Sequence, residues 1–165
     1  MRSARFLLVL SCLFLLVVPS YEAEAEVTPE SALAKSDPVL GIWLPEEQDA
    51  AIELYACEDR ICGRFYWLKD DSKESPSLDD RNPDPVQRNR HLCGLTFMGG
   101  FKADGKGGYT GGWLYSPRHG SMFSAALTLK DKDTLELRGY VFLPLLGGSQ
   151  HWNRHKGQIK MAPCV

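Results

Sequence analysis

Between Leu92 and Arg154 the chain runs through short apolar segments, each closed by a tight glycine, proline or aspartate turn. No interval in that stretch is long enough for a crossover helix. Antiparallel strands can be joined by a few residues, whereas parallel neighbours need connections of about a dozen or more. The spacing therefore predicts an antiparallel meander.

Strands are expected at 41–44, 51–57, 61–69, 93–101, 109–115, 122–130, 134–142 and 149–156. The segment 51–57 could also be an amphipathic helix, because Glu46-Glu47-Gln48 precedes an apolar run. Its neighbour decides for strand. Ile61, Gly63, Phe65 and Trp67 alternate with Cys62, Arg64, Tyr66 and Leu68, and such a strand wants a hairpin partner. Phe123, Ala125, Leu127 and Leu129 share one face of the sixth segment; Leu135, Leu137 and Val141 oppose Glu136, Arg138 and Tyr140 in the seventh. Eight such strands close into an all-β up-and-down barrel, which removes sticky edges and leaves room for side chains or one small ligand. A sandwich is the competing architecture. Residues 70–91 break the rhythm with three prolines and many charges, and read as a long surface loop.

The ends set the compartment. Arg2 and Arg5 precede an apolar run from Phe6 to Val18, followed by Ala23-Glu24-Ala25. That run is shorter than the roughly 20 residues that span a bilayer, so 1–25 is expected to be a cleaved signal peptide. Lipidation at Cys12 competes weakly, since the apolar run continues past it. Residues 26–38 read as a flexible arm and 39–165 as one domain. The product is expected to be periplasmic or secreted, without a transmembrane segment in the mature chain. Removing two arginines and two glutamates leaves the net charge at −2, which argues against nucleic acid as a partner.

Of five cysteines, Cys57, Cys62, Cys93 and Cys164 follow the expected cleavage point. An even count in an exported chain suggests disulfides. Three pairings are possible. A hairpin would bring Cys57 opposite Cys62, leaving Cys93 for Cys164. The C-x4-C spacing does not fit a redox motif.

With these residues in hand, the chain resembles the bacterial exported family known as domain of unknown function 2147. The resemblance rests on Gly41-x-Trp43, Cys62-Gly63, Asp80-x-Asn82-Pro83-Asp84, Arg88-x-Arg90, Leu92-x-Gly94, Gly112-x-x-Tyr115-x-Pro117, Arg138-Gly139-Tyr140 and Trp152-x-Arg154. It implies a lipocalin-like shape, in which Trp43 would lie beneath Arg138 or Arg154 as a cation–π lid, a structural device. It also implies binding of a small apolar ligand and carries no established activity.

No chemistry-bearing motif is complete. Asp80 to Asp84 spaces oxygen atoms as calcium loops do, but Pro85 and His91 stand where such a loop needs glycine and glutamate. Capping by Asp80 or Asn82 explains these residues more simply. His151 and His155 would share a strand face but lack a third ligand. His119-Gly120-Ser121 is turn chemistry rather than a nucleophile with its base. The glycines from Gly105 to Gly112 lack the context of a phosphate loop. Arg81, Arg88, Arg90 and His91 could form an anion site, but Asp79, Asp80 and Asp84 lie among them. No catalytic residue, metal or cofactor is therefore expected.

The aromatic residues are the remaining lead, beside the competing reading that they only fill the core. A ligand wall is expected from Tyr66, Trp67, Trp113, Tyr115 and Trp152, with Arg64, Arg138 and Tyr140 orienting the ligand. The expected function is carriage of a small apolar or amphipathic molecule, with the 70–91 loop as a flap. The alternative is a solid barrel that contacts an envelope protein through that loop.

Overall fold

In the computed structural model, which describes residues 37–157 and Cys164, eight strands hydrogen-bond in sequence order and β8 returns to β1. They are β1 (Gly41–Pro45), β2 (Ala50–Cys57), β3 (Arg60–Leu68), β4 (Thr96–Ala103), β5 (Gly108–Ser116), β6 (Ser121–Leu129), β7 (Thr134–Tyr140) and β8 (Gly147–Arg154). Every pairing is antiparallel, and Trp43↔Arg154 and Pro45↔Trp152 close the ring. The meander has become a closed barrel rather than a sandwich. The expected signal peptide and most of the expected arm lie outside the described residues.

The apolar side of each alternating strand turns inward. Ile52 and Leu54 of β2, Phe101 of β4, Leu127 of β6, Leu135 of β7 and Trp152 of β8 are buried in one core. Most strand limits shift by a residue or two from the sequence reading, and three of the shifts matter. Cys93 to Leu95 form a turn before β4, β7 stops at Tyr140, and His155 falls beyond β8. Val141 is consequently exposed rather than continuing the Leu135–Leu137 face.

A bulge changes the parity of β3. Ile52 pairs with Phe65 but Ala51 pairs with Trp67, so Tyr66 is the extra residue. A one-residue insertion exchanges the faces of everything after it. Phe65 and Leu68 therefore face the interior, and Trp67 does not share the face of Phe65.

One end of the barrel is sealed. The Trp43 indole donates to the Val39 carbonyl at 2.8 Å, and the Arg154 guanidinium lies 4.1 Å from the Trp43 ring centroid. Arg154, not Arg138, forms the cation–π lid. Asp37 and Pro38, the last residues of the expected arm, are tied down here: Asp37 accepts from the Tyr109 hydroxyl and Pro38 from Arg154. Cys57–Cys62 bridges the β2–β3 hairpin, with Cα atoms 5.8 Å apart. Cys93–Cys164 spans a sequence separation of 71, with Cα atoms 5.2 Å apart.

Candidate functional site

The opposite end is open. The β1–β2, β5–β6 and β7–β8 turns and the 70–91 loop surround a chamber of ≈ 770 Å³. Its deep wall is apolar: Ile52, Phe65, Phe97, Leu114, Leu137 and Trp152. Phe65 and Phe97 stack with centroids 4.1 Å apart. Both signs of charge meet at the mouth, from Glu47, Asp49, Asp80, Arg81 and Arg118. Such a gradient suits a molecule with an apolar body and a polar end, since apolar walls supply burial and a few polar groups supply orientation.

The long loop is folded, not loose. A Leu78↔His91 bridge joins its two arms. Its centre is a 3-10 turn at Pro85–Gln87, capped by Asp84, whose carboxylate accepts from Val86 N at 3.0 Å. Of Asp80 and Asn82, expected as caps, Asn82 does cap the turn start, its Oδ1 accepting from Asp84 N at 2.9 Å, whereas Asp80 lines the chamber. Gly120 packs so tightly on this loop that a Cβ there would lie 2.0 Å from the Arg81 carbonyl oxygen.

Asp79 anchors the loop to the barrel. Its carboxylate is 0% exposed and accepts from the Tyr115 hydroxyl at 2.7 Å, Asn82 Nδ2 at 2.7 Å and Arg90 Nη2 at 2.6 Å. Burial alone would raise its pKa, yet these three donors and the Arg90 charge together hold it below the ordinary carboxylate value. Burial, then the hydrogen bond to Asp79 and its charge, push the Tyr115 hydroxyl up to about 12. The arginines of the expected anion site are largely spent on such bonds. Arg90 pairs with Asp79, Arg88 donates to the Asn82 carbonyl at 2.9 Å, and Arg81 donates to the Arg118 carbonyl at 2.9 Å.

Of the eight ligand-wall residues expected from sequence, Tyr115 and Trp152 line the chamber. The other six do not. Arg64 lies outside, its Nε 2.6 Å from Glu53 and its guanidinium over Tyr55. Tyr66 is the bulge residue and Trp67 sits in the outer parity. Trp113 is 38% exposed and packs over Gly99 and Gly100. Arg138 binds the β7–β8 turn from outside, and Tyr140 abuts Gly147 there. The alternation already carried part of this signal, because Arg138 and Tyr140 oppose Leu137 on β7. Leu114 and Leu137 were legible as inward neighbours of Trp113 and Arg138; the chamber role of Leu68 required the bulge.

The remaining motifs resolve into turns. His119 Nδ1 lies 2.9 Å from Ser116 Oγ, while Ser121 Oγ donates to the His119 carbonyl. Asp104 accepts from Lys106 N at 2.7 Å and Gly108 N at 2.9 Å, which organises the glycine-rich hairpin. Those backbone donors hold the Asp104 carboxyl below its usual pKa. His151 sits on the outer face between Glu46 and Glu136. Among the described residues no group of three or more His, Cys, Asp or Glu side chains could hold a metal ion, and no helix is long and apolar enough to cross a membrane.

Residues 41–154 match the family described as "Uncharacterized protein conserved in bacteria (DUF2147)". No curated protein matches the chain. The chain is similar in structure to one described as "Protein HP1028 from the human pathogen Helicobacter pylori belongs to the lipocalin family". The TM-score is 0.64 at 22% identity, over 71% of this chain and 82% of that chain. At that identity the likeness carries the fold, a lipocalin-like barrel.

Proposed function

The chain belongs to the bacterial DUF2147 family, and from its one-ended chamber we propose that it is an exported, non-catalytic carrier of a small apolar or amphipathic molecule. The observation that carries this reading is the volume of ≈ 770 Å³ above an apolar wall. That size falls within the about 300–1,000 Å³ typical of small-molecule sites. A barrel packed solid for protein contact alone would have no use for it. Two disulfides and the apolar leader sequence support export to an oxidising compartment.

In this reading Phe65, Phe97, Leu114, Leu137 and Trp152 hold the apolar body. Arg81, Arg118 and Asp80 meet the polar end at the mouth, where the 70–91 loop forms one side. Native mass spectrometry of protein purified from its producing cell, followed by organic extraction, tests it. A stoichiometric extractable passenger supports carriage. A clean apo mass, together with no saturable binding of an anilinonaphthalene dye, would discard it.

A further inference from the structure

The β7–β8 turn is the most apolar exposed feature among the described residues. From Gly139 to Gln150 the sequence GYVFLPLLGGSQ contains no charge. Phe142 is 90% and Leu145 86% exposed, with Val141, Leu143 and Leu146 also open to solvent. Met122 of β6, two residues beyond Ser124 and its partner Tyr140, extends the patch toward the same mouth. Five adjacent apolar side chains at one tip differ from the singly scattered exposed hydrophobics normal on a protein surface.

Part of the backbone of this tip is satisfied from within. Leu143 N donates to the Val141 carbonyl at 2.8 Å across Phe142, whose φ of 64° is costly for a bulky residue. Leu146 N donates to the Leu143 carbonyl at 2.9 Å. Arg138 reaches up from the base, donating to Pro144 O at 2.7 Å and Gly147 O at 3.4 Å as well as to Ser149 Oγ at 3.0 Å. The turn thus holds the Phe142 ring away from the barrel, with the Val141, Leu143 and Pro144 carbonyls occupied and the Arg138 cation at the root.

We propose that this tip inserts into the acyl boundary of a phospholipid bilayer and sets the chamber mouth against the membrane surface. Backbone entering hydrocarbon must bring its own hydrogen-bond partners, a need this turn reduces by bonding the Leu143 and Leu146 amides and the Val141, Leu143 and Pro144 carbonyls internally. Arg138 would then lie at headgroup depth while the leucines and Phe142 lie deeper, as long cationic side chains do at membrane boundaries. A stable protein interface needs about 20–30 residues a side, which a convex tip this small does not offer to a second copy. Since the rim presents both charge signs, insertion rather than surface charge drives the contact, and binding is weakly dependent on salt. The stems of the turn, Gly139 and Gly148, line the chamber, so the membrane contact and the opening are continuous. The inference stands on the tip alone and is independent of what the chamber holds.

The test uses the disulfide-intact protein as purified from its producing cell, with Phe142→Trp as a reporter and wild type as the fluorescence reference. On phosphatidylcholine vesicles the added tryptophan should blue-shift and be quenched by brominated acyl chains, little affected by salt. Phe142→Asp with Leu145→Asp should weaken vesicle partition at least tenfold. Because both side chains are exposed, near-ultraviolet circular dichroism should remain that of wild type. Unchanged emission at position 142, equal partition of the double variant, or a vesicle-free dimer that the double variant abolishes would each overturn the proposal. Loss of a chamber ligand leaves all of these readouts in place, so the two readings fail separately.

Discussion

Arg154 stacks on Trp43 across the seam where the last strand meets the first: the two are register partners, and the guanidinium lies 4.1 Å from the ring centroid. The same guanidinium donates to Leu40 O at 2.8 Å and Lys132 O at 2.7 Å. One side chain therefore ties the strand ends, the entering chain and the β6–β7 turn into a floor. Gly41 is required beside it. Its φ is +126°, and a Cβ would sit 3.1 Å from Arg154 Nη1.

Arg154→Ala should destabilise the barrel by about 2 kcal/mol, from the lost cation–π contact and charged hydrogen bonds. Arg154→Lys should recover less than half, because an ammonium cannot reach carbonyls in several directions at once. Urea unfolding of the oxidised protein measures both.

The two disulfides should contribute unequally. In the loop-entropy account, closure by Cys93–Cys164 stabilises by about 4 kcal/mol and by Cys57–Cys62 by about 2 kcal/mol. Paired Cys→Ser variants, compared by midpoint shift, should preserve that order. An equal loss from both would contradict it.

Asp79 predicts an acid transition in the loop. Its folded pKa lies below the unfolded value of about 3.9, so its stabilising contribution is complete above that value. The contribution is lost as pH falls through the folded pKa, which places loosening of residues 70–91 below about pH 4. Tyr115, with its pKa raised to about 12, works in the other direction: its contribution is full below about 10 and declines as pH rises through the folded value. Hydrogen exchange across the loop should show the acid transition. Tyr115→Phe should cost about 2 kcal/mol by removing one donor to the buried Asp79 carboxylate.

Leu137→Trp should fill the chamber from its deep wall. The expected result is at least a tenfold loss of dye or passenger binding with a small change in unfolding midpoint, because the added volume enters open space rather than packed core. Arg64→Ala, on the outer face, should leave binding within about twofold, since a surface ion pair contributes at most about 1 kcal/mol. Isothermal titration with a long-chain alkyl probe separates the two.

Strand number, antiparallel order and the Cys57–Cys62 pairing were legible in the sequence because each depends on local spacing, and Cys93–Cys164 followed from that pairing by elimination. Two-residue alternation marks a half-buried strand, short turns force neighbours to be antiparallel, and a tight hairpin brings Cys57 near Cys62. The turn is only Glu58-Asp59, however, and the pair lies diagonally, Cys57 opposite Arg60 and Cys62 opposite Tyr55. The family resemblance carried by Gly41-x-Trp43 and Trp152-x-Arg154 implied a cationic lid over Trp43, although whether Arg138 or Arg154 supplied it awaited the register of β8 on β1. The chamber wall was decided only in three dimensions. One extra residue at Tyr66 moved Leu68 inward and Trp67 out of that face, and no periodicity along β3 contains the partner register that creates the bulge. The same holds for Asp79, an unremarkable loop carboxylate until folding buries it against Tyr115, Asn82 and Arg90, groups up to 36 positions away. Side-chain parity within a strand is local information; its sense relative to the interior, and the meeting of distant polar groups, belong to the closed barrel.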